Sequence, residues 1–145
     1  MRITWKPGQM LPTFDYTVTV LNKLAARDSA TKLDVWKATV LHNCSWSGRA
    51  ERSMDGNNAT VGNVFVVRVP KSADYHPYNE WKGSMDGFTF STGDYIIRGE
   101  ITEEVTPSTV QSIVNAHKPE AFIIKLFQDN TGTVEVLEHY HIEGV

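Results

Sequence analysis

The chain has 145 residues, of which 41% are hydrophobic and 21% charged, so its composition is that of one folded domain and excludes a globally disordered protein. Its 14 basic and 17 acidic side chains leave a net charge of -3, which argues against a protein that grips nucleic acid by its phosphates. No apolar run is long enough to cross a bilayer, and the first residues lack the apolar core of a secretory signal. A single cysteine, Cys44, excludes an internal disulfide framework and a zinc finger.

Residues 1–13 contain prolines and show little periodicity, which predicts an extended N-terminal arm. Trp5, Met10 and Leu11 are apolar for a free tail. We therefore expect the arm to dock, either on its own domain or on a neighbouring subunit, and these three residues are candidates for a subunit interface.

Residues 14–145 predict one β-barrel-like domain. Tyr16–Leu21 alternates β-branched residues as a strand does. A polar stretch over 26–32 follows, and the alternation resumes over Leu33–Leu41, so these two strands form a hairpin. Residues 44–46 continue the second strand after a kink at Asn43.

Residues 47–62 lack a core pattern and contain three glycines, which predicts a long loop. Loops of this length in a compact domain are uncommon and usually functional. Its charged residues, Arg49, Glu51, Arg52 and Asp55, are of mixed sign.

A buried strand follows over Asn63–Val69, and Pro70 ends it. A second long connection over 71–87 places Tyr75, Tyr78 and Trp81 among polar residues. These aromatic side chains have three alternative roles: stacking on bases or sugars, contact with a neighbouring subunit, or packing on their own barrel. Net acidity weighs against bases.

The C-terminal half predicts further short strands and one helix. The helix is expected over 107–117, because Thr106-Pro107 forms a favourable start and apolar residues then recur at helical spacing. The predicted strands cover residues 88–90, 95–98, 121–127 and 133–142. About seven to eight strands and this helix indicate a mainly β protein, a small barrel or sandwich.

Two histidine pairs are the candidates for chemistry. His139 and His141 share a face of the last strand, and with Glu135 as a third ligand they form a candidate metal site, although a solvated strand face is the simpler interpretation. His42 and Cys44 have the same spacing but lack the flanking pattern of a nucleophile and its base. We expect no cofactor, no metal and no catalytic residues.

Several short sequence motifs, taken in their order along the chain, resemble those of a known protein family. They are Val35-Trp-Lys-Ala-Thr-Val-Leu-His-Asn-Cys-Ser-Trp46, Val66-Val-Arg-Val-Pro70, Phe88-Thr-Phe-Ser-Thr-Gly-Asp-Tyr-Ile-Ile-Arg-Gly-Glu100, Phe127-Gln-Asp-Asn-Thr-Gly132 and His139-Tyr-His-Ile-Glu-Gly144. Over most of residues 14–144 the chain resembles the small head–tail connector proteins of tailed phages and prophages of Gram-positive bacteria, also called minor capsid or head-closure proteins.

The resemblance implies a structural virion protein and not an enzyme. Such proteins form a ring below the portal in the neck of the virion, extend its channel, retain the packaged DNA and dock the tail. The implied partners are portal or adaptor proteins, tail-completion proteins and further copies of the chain. Double-stranded DNA passes without sequence-specific binding, and no membrane is involved. Assembly takes place in the cytoplasm of the bacterial host.

The parts of the chain then receive expected roles. The loop over 47–62 faces the channel, and the N-terminal arm and the aromatic connection hold neighbours, because a closed ring repeats one heterologous contact. The helix either contacts the portal or caps the barrel. Two alternatives stay open: a tail-completion or tail-terminator protein of the same virion, and a β-barrel enzyme or ligand-binding protein that uses His139 and His141.

Overall fold

The computed structural model describes residues 15–56, 58–132 and 138–145, and over 49–55 and 58–62 it describes the backbone. The predicted arm over 1–13 lies outside this range, as does residue 135. The strands are β1 Tyr16–Leu24, β2 Val35–Asp55, β3 Asn58–Pro70, β4 Tyr95–Arg98, β5 Ala121–Asn130 and β6 His139–Gly144; the α-helices are α1 Tyr78–Ser84 and α2 Val110–His117, and a 3₁₀ turn spans Ala26–Asp28.

The strands close into an antiparallel barrel in the order β1-β2-β3-β6-β5-β4, with β4 returning to β1. The prediction of a mainly β protein is therefore confirmed, and of the two predicted architectures, barrel or sandwich, the structure shows the barrel. The described strands number six instead of seven to eight. Two short predicted segments explain the difference. Residues 44–46 are part of the longer strand β2, and residues 88–90 form no strand.

Two hydrophobic clusters lie on opposite faces of β1, β4 and β5. Successive side chains of a strand point to opposite faces, so Val18 and Val20 enter one cluster while Leu21 enters the other. The first cluster fills the barrel and includes the fully buried Ile142. In the second cluster, α2 packs against β4 and β5 through Val110, Ile113 and Val114.

A buried polar network connects β1 to the turn before β4. The Asn22 side-chain amide donates to the backbone oxygen of Thr89 at 2.6 Å and to Oδ2 of Asp94 at 2.9 Å. The backbone amide of Lys23 donates to Oδ1 of the same carboxylate at 3.2 Å. Because Asn22 and Asp94 are buried, these bonds fix how the turn lies against the barrel.

The prediction of a loop over 47–62 is wrong. Residues 47–55 continue β2, residues 58–62 begin β3, and the two pair from Ser45↔Arg68 to Asp55↔Asn58. The pairing of its two strands continues past the residues where β1 and β6 end their pairing with them. Backbone pairing of this kind leaves no hydrophobic pattern in the sequence from which it could be predicted.

The connection over 71–87 contains the short helix α1, which the sequence did not predict. Seven residues with a single buried side chain, Trp81, are too few to show helical periodicity. The predicted strand over 88–90 is also absent from the described structure: Phe88 makes an isolated bridge with Tyr75.

The predicted C-terminal helix is confirmed with a later start. Residues 106–109 form a turn in which the backbone amides of Thr109 and Val110 both donate to the carbonyl of Thr106, and α2 then begins at Val110. In the described part of the chain, neither helix has the length and apolarity needed to cross a membrane.

Candidate functional site

The most prominent feature outside the barrel is a two-stranded hairpin, which we call the hairpin arm, residues 49–64. β1 pairs with β2 up to Cys44, and β6 pairs with β3 only from Phe65 onward. Beyond these points, in the described structure, β2 and β3 pair only with each other, over seven residue pairs from Arg49↔Val64 to Asp55↔Asn58. At the rise of a strand the arm extends roughly 23 Å beyond the barrel.

The hairpin arm contains all four residues predicted to face the channel. Arg49, Glu51, Arg52 and Asp55 lie on its β2 strand, and by strand alternation Arg49, Glu51 and Asp55 occupy register positions of one face. The two basic and two acidic residues give the arm no net charge.

The base of the arm is anchored by three aromatic rings. The ring centroids of Trp46 and Phe65, one from each strand, lie 5.5 Å apart. Both pack on Phe122 of β5, at 5.4 and 5.7 Å. Gly144 of β6 lies close enough to Phe122 and the Ile123 carbonyl that a β-carbon there would overlap both. The arm therefore emerges from a well-packed aromatic layer.

The aromatic connection packs on its own barrel. Trp81 is only 1% exposed. Tyr75 is half-buried, its ring centroid lies 4.5 Å from that of Tyr140, and burial raises the pKa of its phenol to about 12. The hydroxyl of Tyr78 donates to Asp28 at 2.7 Å. These intramolecular contacts leave little of the three rings for a neighbouring subunit.

The predicted histidine pair, His139 and His141, lies on the barrel strand β6. His139 and His141 have ring centroids 6.5 Å apart, and Nε2 of His141 lies 3.5 Å from the carboxylate of Glu143. Glu135, the proposed third ligand, lies outside the described residues. Within the described ranges, no group of three His, Cys, Asp or Glu side chains is placed to hold a metal ion.

The side chains of the second pair, His42 and Cys44, contact different groups and not each other in the described structure. A ring nitrogen of the exposed His42 lies 3.2 Å from the hydroxyl of Thr17. The buried thiol of Cys44 instead donates to the backbone oxygens of Leu41 and His42. Burial raises the pKa of this thiol to about 12, so it is a poor nucleophile at neutral pH.

A groove of about 310 Å³ opens where β2 and β3 separate. We call it the β2–β3 groove; it is lined by residues 39–43, residues 69–72, Asp74, Gly87 and Phe88. Its walls include the buried side chains of Leu41, Val69 and Phe88. The hydroxyl of Thr39 is buried there without a hydrogen-bond partner among the described residues.

Two residues at one register position explain the separation. Continuing the pairing beyond Ser45↔Arg68 would place Asn43 opposite Pro70. Asn43 has a left-handed backbone with φ of 61°, and proline has no N–H to donate to a ladder. The sequence showed the kink and the strand end separately, but only the register shows that they coincide.

The architecture defines a closed six-stranded antiparallel barrel with a protruding hairpin. A family model matches residues 13–145, and the chain belongs to that family, DUF6751, a family of unknown function. No curated protein and no solved structure matches the chain significantly.

Proposed function

We propose that this protein is a head–tail connector of a tailed phage or prophage, a head-closure ring that extends the portal channel, retains packaged DNA and docks the tail. The observation that carries the proposal is the hairpin arm on a closed barrel. It gives a regular, projecting element at the segment that we expect to face the channel from its sequence. The sequence motifs on which the resemblance to connector proteins rests lie partly on strands of the barrel and partly on turns.

The physics of the arm supports an assembled state. A two-stranded ribbon without further strands is marginally stable in water, and its outer edges present unpaired backbone groups. Copies arranged in a ring would shield these arms from bulk solvent and bring them together around one axis. An arm over 49–64 projecting from each copy would then narrow the channel.

The charge of the arm suits a conduit. DNA carries one negative charge per roughly 1.7 Å of its axis, and strongly basic surfaces bind it tightly. The arm combines Arg49 and Arg52 with Glu51 and Asp55, and the whole chain has a net charge of -3. Mixed charge at this position allows contact with DNA during retention without a permanent hold on it.

Electron microscopy of purified portal mixed with this protein, and of virions, tests the proposal. We expect ring density below the portal, with residues 49–64 facing the lumen. Density at the tail side of the neck instead would support the tail-completion alternative. Absence of the chain from particles and from portal mixtures would overturn the connector function.

Substitution of the arm's arginines tests its contact with DNA. Arg49→Glu combined with Arg52→Glu replaces two positive charges of each arm with two negative ones, which repel passing DNA. We expect a several-fold lower fraction of DNA-filled heads, measured by sedimentation of particles. The matched control is Lys125→Glu at an exposed position of β5, which should leave the filled fraction unchanged. If both variants fill the same fraction of heads, the arm does not contact DNA in the channel.

A further inference from the structure

The β2–β3 groove contains a free strand edge. Residues 39–41 of β2 pair with β1 at Val20, Thr19 and Val18, whereas β2 pairs with β3 only from Ser45 onward. In an antiparallel strand, alternate residues direct their N–H and C=O groups to opposite sides. Along 39–43, one set of these groups therefore faces the groove without a strand partner in the described part of the chain.

An unpaired strand edge beside buried apolar side chains is the usual site for an added strand. An extended peptide gains backbone hydrogen bonds from such an edge and places alternate side chains in adjacent pockets. The apolar walls at Leu41, Val69 and Phe88 fit a strand with apolar side chains on one of its faces.

We propose that the N-terminal segment of one copy, residues 1–14, adds as an extended strand to the edge of β2 at Thr39–Asn43 in the groove of a second copy. The segment has the required pattern: Ile3 and Trp5 alternate with Arg2, Thr4 and Lys6. The inference deepens the proposed function by naming the contact between neighbouring subunits, and only its closure into a ring rests on that function.

The direction of the chain favours a second copy over the segment's own groove. β1 begins at Tyr16 opposite Cys44 and runs antiparallel to β2. The start of β1 therefore points towards Ser45 and the hairpin arm, away from residues 39–43. To reach the groove of its own copy, the N-terminal segment would have to reverse its direction. To reach the groove of a neighbour placed along that direction, it would not.

Length and charge are also suitable. Fourteen extended residues reach up to roughly 46 to 50 Å, more than the width of a domain whose expected radius of gyration is about 14 Å. Arg2 and Lys6 are the charged side chains of the segment, whereas residues 15–145 carry 17 acidic and 12 basic side chains. Asp74, an exposed acid, lies in the wall of the groove.

Chemical cross-linking between differently labelled copies tests the inference. Thr4→Cys in one preparation is mixed with Ser72→Cys in another and treated with a short bismaleimide, both free and bound to purified portal. We expect a heterodimeric cross-link on denaturing gels. The native Cys44 does not compete, because its thiol is buried. The matched control replaces Ser72→Cys with Asn115→Cys, an exposed position on α2, and should give at least tenfold less product.

Two further variants separate docking from chance proximity. Trp5→Ala should reduce the cross-link several-fold, whereas Gln9→Ala should not. A cross-link within a single chain of the Thr4→Cys/Ser72→Cys double variant, without one between copies, would show own-chain docking and overturn the inference. Portal-bound rings without either cross-link would also overturn it while leaving the connector function intact; failure to form rings at all is the separate outcome that removes the function.

Discussion

Asp94 shows how a single residue links the polar interior of this barrel to solvent pH. It is 3% exposed, and its two carboxylate oxygens accept hydrogen bonds from Asn22 and from the backbone of Lys23. Burial disfavours the charged form more than these bonds favour it, and raises the pKa of Asp94 from 3.8 to about 6. The sequence predicted only a turn residue beside Gly93, because the burial of the carboxylate depends on strands distant in the chain.

We expect Asp94 to make the protein less stable as the pH rises. The folded state binds the proton more tightly than the unfolded state, so the stabilisation is complete below about pH 4 and is lost as the pH rises through about 6. The shift corresponds to about 3 kcal/mol. In urea titrations between pH 4 and 7.5, Asp94→Asn should remove this decline. Asp86→Asn, an exposed matched control, should retain it. An unchanged slope in Asp94→Asn would contradict the assignment.

At the scale of elements, the short helix α1 is held by its neighbours more than by its own sequence. It has seven residues, too few to be stable as an isolated helix. Trp81 anchors it in the interior, and Met85 ends it in a left-handed conformation with φ of 58°. Lys37 of β2 donates from Nζ to the backbone oxygens of Met85 at 2.7 Å and Gly87 at 2.9 Å. One strand side chain thus fixes the end of the helix.

Replacement of this lysine should loosen α1 selectively. Lys37→Met keeps the aliphatic stem and removes two charge-assisted hydrogen bonds, which contribute roughly 1.5 to 3 kcal/mol each. We expect amide hydrogen exchange over residues 78–88 to accelerate at least tenfold, with little change in β5. Lys23→Met is the matched control, since it removes the same charge from the neighbouring strand β1 but none of the hydrogen bonds to Met85 and Gly87. Unchanged exchange over 78–88 would show that packing of Trp81 alone holds the helix.

At the scale of the whole molecule, we expect the barrel to fold without the hairpin arm. Among the side chains that the structure describes, the two clusters of buried residues belong to the barrel and to the face under α2. The base of the arm contacts the barrel through the rings of Trp46 and Phe65, and a shorter arm would retain both residues.

A variant without the arm tests this expectation. Replacing residues 50–63 by Asn-Gly joins Arg49 to Val64, which are register partners, through a two-residue turn that suits a hairpin. We expect the free energy of unfolding, measured by chemical denaturation, to stay within about 1 kcal/mol of the native value. The proposed function predicts that portal rings of this variant form but no longer retain DNA. Loss of cooperative unfolding would show that the arm contributes to the core.

The alternation over residues 16–21 and 33–41 and the helical spacing from Val110 to Val114 were readable in the sequence, because each of these segments faces a core whose position repeats along the chain. The register of Asn43 with Pro70, the burial of Asp94 and the pairing of residues 49–64 were decided by tertiary structure. Strand pairing depends on which distant segment supplies the opposite edge, and no local pattern records that choice. The amino-acid sequence alone therefore determined a mainly β fold, a barrel or a sandwich, with one amphipathic helix. The projecting hairpin and the groove beside it arise from where β2 and β3 begin and end their pairing.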